Sequence, residues 1–193
     1  MFYRRDAVRV SLAYRYHNPN WDLARNRAVY GEDHNVEGIG ANMTIWLEVA
    51  GEPMNDLLIP EKSLAGTLAQ LKAALDHRCL FEVEPWFFAR IPTLENIALF
   101  LTEKIDRPWH SLTIEESENW RVQLFSQSSE ALLTAISYDG FVKTEVSVGG
   151  LIDPESGLVA PRGLINRRYP NVVFFRIENP QRTAFEQQFG HNF

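Results

Sequence analysis

The sequence predicts an α+β domain: a four-stranded antiparallel sheet with two helices on one face, inserted between the second and third strands. Three observations predict it. Val8–Tyr16 and Met43–Val49 alternate apolar and polar residues with the period of a half-buried strand. Two later segments carry Leu64, Leu68, Leu71, Leu75 and then Ile97, Leu101, Ile105 at the spacing of amphipathic helices. Trp120–Phe125 and Ala131–Ile136 follow as two more strands, joined by Ser126-Gln127-Ser128-Ser129.

The elements follow in order. Val8, Val10, Leu12, Tyr14 and Tyr16 share one face of the first strand. Asn18-Pro19-Asn20 is turn chemistry, and Asp22 caps a short helix that runs through Asn26 to Tyr30 and stops at Gly31. A glycine-spaced loop, Gly38-Ile39-Gly40-Ala41-Asn42-Met43, leads into the second strand. Pro60-Glu61 opens the first long helix and Asp76-His77-Arg78 ends it. Pro85 and Pro92 bracket the aromatic connector Trp86-Phe87-Phe88. Thr93 caps the next helix, with Asn96 where a capping box carries Glu or Gln.

Composition bounds the function. The 193 residues form one domain with an appendage, and 45% hydrophobic against 23% charged residues suits a globular chain. Twelve Phe, six Tyr and five Trp supply a core. A net charge of −6 without a basic cluster argues against nucleic acid or an anionic membrane as partner. The single cysteine, Cys79, excludes an internal disulfide and points to a reducing, cytoplasmic setting. No apolar run reaches membrane-spanning length, and no signal peptide is visible at the N-terminus.

Arg15, the Asn18-Pro19-Asn20-Trp21 run, Asn26, Tyr30-Gly31, Asn42, Leu75-Asp76-His77, Pro92-Thr93 and Glu95-Asn96 occur in this order over residues 8–137. With them the chain resembles the 6-pyruvoyl-tetrahydropterin synthase and 6-carboxytetrahydropterin synthase family, which has the tunnelling fold, or T-fold. The resemblance implies a carbon–oxygen lyase with a zinc ion held by three histidines, one on the first strand and two in a His-Gly-His loop. It also implies a cysteine base helped by an Asp-His pair, and a glutamate at the end of the third strand that anchors the pterin. The division it suggests is a T-fold domain over 1–137 and a C-terminal extension over 138–193.

The chain departs from that pattern at the chemistry. The first histidine position is Tyr14, and the His-Gly-His positions are Ile39-Gly40-Ala41. The cysteine position is Asp33, and the position of the anchoring glutamate is Ser126. Asp76, His77, Thr93 and Glu95 are kept. No metal and no cofactor is therefore expected. One reading is a non-catalytic or regulatory T-fold subunit, assembling with itself or with an active relative. Another is a metal-independent enzyme or binder of a small heterocycle. It would use Asp76, His77 and Asp33 as acid and base, and Thr93, Glu95, Ser126 and Tyr14 as ligand contacts. In a third, an authentic pterin synthase, the alignment of these positions differs. The same residues also have a structural reading, because Asp76-His77 can simply end a helix and Glu95 sits in a first helical turn.

By family analogy the sheet edges close through a homo-oligomer, a trimer or a dimer of trimers. The extension contributes a strand-like Phe141–Val148, a turn-rich Asp153-Pro154-Glu155-Ser156-Gly157 and a strand-like Val172–Ile177. Its piece VSVGGLIDPESGLV resembles the segment that follows the family's second strand, as a partial duplication would. The extension is too short for its own core and reads as a hairpin on the same domain, a subunit interface or a cover over the pocket mouth.

Overall fold

Two long strands form the spine of the computed structural model, which describes residues 2–51, 61–116, 120–139, 142–163 and 165. Strand β1 (Phe2–Tyr14) pairs antiparallel along its whole length with β2 (Ile39–Gly51). Between them lie helix α1 (Leu23–Tyr30) and a 3₁₀ turn, Gly31–Asp33. Helix α2 (Glu61–Leu75), a two-residue strand β3 (Arg78–Cys79), a one-turn helix α3 (Leu80–Val83) and helix α4 (Leu94–Thr102) come next. Strands β4 (Ser111–Glu116), β5 (Trp120–Phe125), β6 (Ala131–Asp139) and β7 (Val142–Gly150) follow.

The seven strands form one sheet in the order β3-β1-β2-β4-β5-β6-β7, antiparallel except for the short β1–β3 pair. The α+β architecture is the one expected, with helices inserted after the second long strand. Strand β4 is an addition to the expected strands, the third of which starts at Trp120. Leu112, Ile114 and Glu116 alternate on one face of β4, and the carboxylate in the last of those positions hides the pattern. Ile39-Gly40-Ala41, read as a loop, is also strand, because β1 is long enough to pair with it. The second half of the extension, including Val172–Ile177, lies outside the described residues.

The pairing registers put one continuous apolar face across the sheet. Val10 faces Met43, Ile45 faces Ile114, Leu112 faces Leu124 and Leu133 faces Val148. Helix α2 covers β1, and α4 covers β4 and β5. Leu64, Leu68, Leu71 and Leu75 of α2 and Leu94, Ile97 and Leu101 of α4 are all buried. The opposite face is polar, where Trp46 donates to Glu115 and Arg121 bridges Glu115 and Glu145. That face is polar in composition but not open throughout, since Thr113, Thr134 and Ser147 on it are buried.

Candidate functional site

The site forms where β1 ends. Tyr14 and Tyr16 both project to the helix side, as residues two apart in extended chain must. Both are buried, with rings edge-on at 5.3 Å. Tyr16 accepts a hydrogen bond from the Leu94 N–H at the start of α4 (3.2 Å). Tyr14 donates to the carboxylate of Glu116. Asp22 caps α1 through the Arg25 N–H (2.7 Å), and buried Asn26 bonds both backbone groups of Asn18. These contacts fix the entry turn and aim Asp33 inward from the end of the 3₁₀ turn.

A strap from the extension, residues 153–163, crosses this region. Its turn is built by Asp153, whose side chain accepts from the Glu155 and Ser156 N–H groups, and by Gly157 at φ 73°. Glu155 receives hydrogen bonds from the Trp21 indole (2.7 Å) and Arg25 (2.9 Å). Tyr30 donates to the Ser156 carbonyl (2.9 Å), and Thr93 donates to the Gly157 carbonyl (2.6 Å). Gly163 lies so close to α1 that a Cβ there would stand 2.2 Å from the Ala28 carbonyl oxygen.

The strap carries Arg162 into the interior, where its side chain is 0% exposed. The guanidinium donates to Asp33 (3.0 Å) and stands 3.8 Å from Glu95 Oε2. It lies over the rings of Tyr16 (4.2 Å) and Trp120 (4.3 Å). Burial alone would lower its pKa, but Tyr16, Asp33, Glu95 and Glu116 hold it above its ordinary value. Burial raises the carboxyls of Glu95 and Glu116, and Arg162 opposes both shifts. Burial and the Glu116 charge also push the Tyr14 phenol well above its ordinary value. The result is a guanidinium ringed by three acids and two aromatic faces.

Tyr14, Asp33 and Glu95 thus meet around Arg162, and Thr93 holds the strap beside them. Asp76 and His77 do not join them. They sit at the outer edge of β1, where Asp76 accepts from the Ser11 N–H (2.9 Å) and the His77 N–H donates to the Ser11 carbonyl (2.6 Å). Lys72 (2.6 Å) and the Ser11 N–H hold the Asp76 carboxyl down at about 2. The His77 side chain is 82% exposed, on a residue at φ 57°. Ser126 lies at the wrong end of β4: it bonds His110, beside Ser111, roughly 17 Å of strand from Glu116. The carboxylate that ends the third strand is therefore Glu116. His17 and His34 pair at 3.2 Å, and burial lowers the pKa of each.

Sequence reasoning missed Glu116, Trp120 and Arg162. Glu116 left a signal, a carboxylate in phase with Leu112 and Ile114. Arg162 left a fainter one, a lone charge in the run Leu158-Val159-Ala160-Pro161-Arg162.

The three positions that the sequence resemblance sets against the zinc ligands, Tyr14, Ile39 and Ala41, do share a face. Tyr14 is directly opposite Ile39, and Ala41 is opposite Leu12, two residues back along the same face. Their chemistry does not fit the metal. Ile39 and Ala41 have no lone pair to give, and Tyr14 is a buried, protonated phenol already bonded to Glu116. Among the described residues no group of three or more His, Cys, Asp or Glu could hold a metal ion.

This arrangement, a helix-backed antiparallel sheet with a buried polar cluster at the end of its first hairpin, defines a T-fold protein. The 6-pyruvoyl tetrahydropterin synthase family matches residues 8–131, and the chain belongs to that family. A candidate 6-pyruvoyl tetrahydrobiopterin synthase of Caenorhabditis elegans is 26% identical over 115 residues, 55% of this chain and 82% of that protein. The solved structure of Caenorhabditis elegans 6-pyruvoyl tetrahydropterin synthase superposes with a TM-score of 0.59 at 22% identity. That likeness covers 65% of this chain and 96% of the other, and shows the fold. The strap lies beyond the matched residues.

Proposed function

We propose that this chain is a member of the family without the family's zinc chemistry, acting as a non-catalytic or regulatory T-fold subunit in the cytosol. One observation carries the reading: Tyr14, Ile39 and Ala41 stand together on one face with no donor set for zinc among them. The position of the base is occupied as well, because Asp33 is committed to Arg162 at 3.0 Å. Asp76 and His77, the groups that would supply acid and base in a metal-independent enzyme, cap an outer strand edge within this chain. They line an open groove of about 510 Å³ with Lys72, Ser11 and Glu115, on the side of β1 away from Arg162. The purified protein is expected to convert dihydroneopterin triphosphate at no rate above background. Ligands, base and proton relay act as a unit, so losing most of them leaves little. Zinc-dependent turnover that a chelator abolishes, in protein from its own host, would overturn the reading.

The sheet supports assembly. Among the described residues, the outer edge of β7 and the outer edge of β1 before Leu12 have no strand partner. Such edges invite pairing between subunits. A homo-oligomer, a trimer or a dimer of trimers, is the expected state, and a monomer by light scattering at micromolar concentration would contradict it.

A further inference from the structure

We propose that the strap fills the ligand pocket of the fold in cis, with the Arg162 guanidinium taking the place of a planar, guanidine-bearing ligand. This rests on the proposed function above, which puts Tyr14 and Asp33 at positions of the family's site; Glu95 and Glu116 stand beside them around Arg162. Three features support it. The occupant is planar and sits against two aromatic faces, at 4.2 and 4.3 Å. Its edges meet carboxylates, the partners a guanidine fork satisfies best. The fit is also loose. Glu95 Oε2 lies 3.8 Å from Nη2, and Glu95 Oε2, Arg162 Nε and Arg162 Nη2 are all buried without a hydrogen-bond partner among the described residues. A side chain selected only to brace the fold would be expected to close those bonds, since each buried orphan is costly. A free ligand, not tethered through the strap, could approach both acids.

The strap is attached by contacts that do not involve Arg162. Tyr30, Thr93, Trp21 and Arg25 hold residues 155–157, and Gly163 seats on the α1 backbone. The guanidinium is therefore presented at high local concentration, and any free ligand of this class must displace it. The chain on its own is closed to ligand, and releasing the strap opens it.

The test uses the full chain with Arg162→Ala, and ethylguanidinium chloride as the probe, at millimolar concentrations far below those that denature. Ethylguanidinium should raise the Tm of the variant saturably and quench the fluorescence of Trp120. Ethylammonium, of equal charge but not planar, should bind at least tenfold more weakly. Wild type should show neither effect, and Arg162→Ala/Glu95→Gln should lose most of the response. Gly163→Ala offers a second route, because it pushes the strap off the Ala28 carbonyl while leaving every charge in place. It should gain the same response, so the test survives if Arg162→Ala does not fold. No saturable response in either variant, or an equal response to ethylammonium, overturns the proposal. Zinc uptake or turnover by wild type would instead overturn the proposed function, so the two failures are distinguishable.

Discussion

Replacing Arg162 with alanine is expected to cost about 3–5 kcal/mol of stability near pH 8, the usual loss when one partner of a buried ion cluster is removed. For a chain of this size that corresponds to a fall in Tm of roughly 6–20 °C. The substitution leaves Asp33, Glu95 and Glu116 around an empty volume, with no cation to oppose their mutual repulsion. The loss should shrink at lower pH. Burial raises the carboxyls of Glu95 and Glu116 in the folded state, and Arg162 pulls both back down. A group whose folded pKa is raised stabilises the fold fully below its unfolded pKa and loses that contribution as pH climbs through the folded value. Without Arg162 both folded values rise further, so the variant loses stability over a wider range above the ordinary carboxylate pKa. Each extra proton held by the folded state tilts stability by up to about 1.4 kcal/mol per pH unit. Urea unfolding of wild type and Arg162→Ala from pH 5 to pH 8 measures this. The gap should widen steadily toward pH 8, and Arg162→Lys, which keeps the charge and loses the fork, should fall between the two. A gap independent of pH would mean that the three acids do not face the guanidinium.

The second expected result is a regained metal site. The register places Tyr14 opposite Ile39, with Ala41 two residues along the same face. Tyr14→His/Ile39→His/Ala41→His should therefore bring three imidazoles together, with nitrogens about 2.0–2.1 Å from a bound zinc and one position open. Arg162 works against it. A guanidinium within roughly 8 Å of a dication, at an effective dielectric of about 20, costs on the order of 4 kcal/mol, or about a thousandfold in Kd. The triple variant should bind zinc weakly, and adding Arg162→Ala should tighten binding by two to three orders of magnitude (roughly, by the same arithmetic). Zinc content by mass spectrometry and competition with a chromogenic chelator measure both steps. If the quadruple variant folds and takes up no more zinc than wild type, the three positions do not converge.

Much of this protein was legible in local sequence. Period-two and period-3.6 patterns located both long strands of the first hairpin and both long helices. Turn and cap residues did the same for the helix starts: Asp22 and Thr93 cap α1 and α4 as their types suggest. The short motifs were enough to reach the family, and the residues at the aligned ligand positions, Tyr14, Ile39 and Ala41, could be read one by one. These features are local because hydrophobic periodicity and capping depend on residues a few positions apart.

The content of the pocket was not local. Glu116 was hidden because a carboxylate on the apolar face of a strand breaks the pattern that identifies strands, and only the β2–β4 register shows that it points inward. Asp76 and His77 are adjacent in sequence to a helix end, and only the folded chain shows them bonded to Ser11 at a sheet edge rather than to the pocket. Arg162 meets Asp33 across 129 positions of sequence. A charge of that kind is stable in the interior only when carboxylates and aromatic faces from the segment after β1, the 3₁₀ turn, α4, β4 and β5 converge on it. The sequence determined which residues stand at the aligned ligand positions; the tertiary structure alone decided what surrounds them, because a buried ion pair is defined by which distant groups the fold brings within a few ångströms.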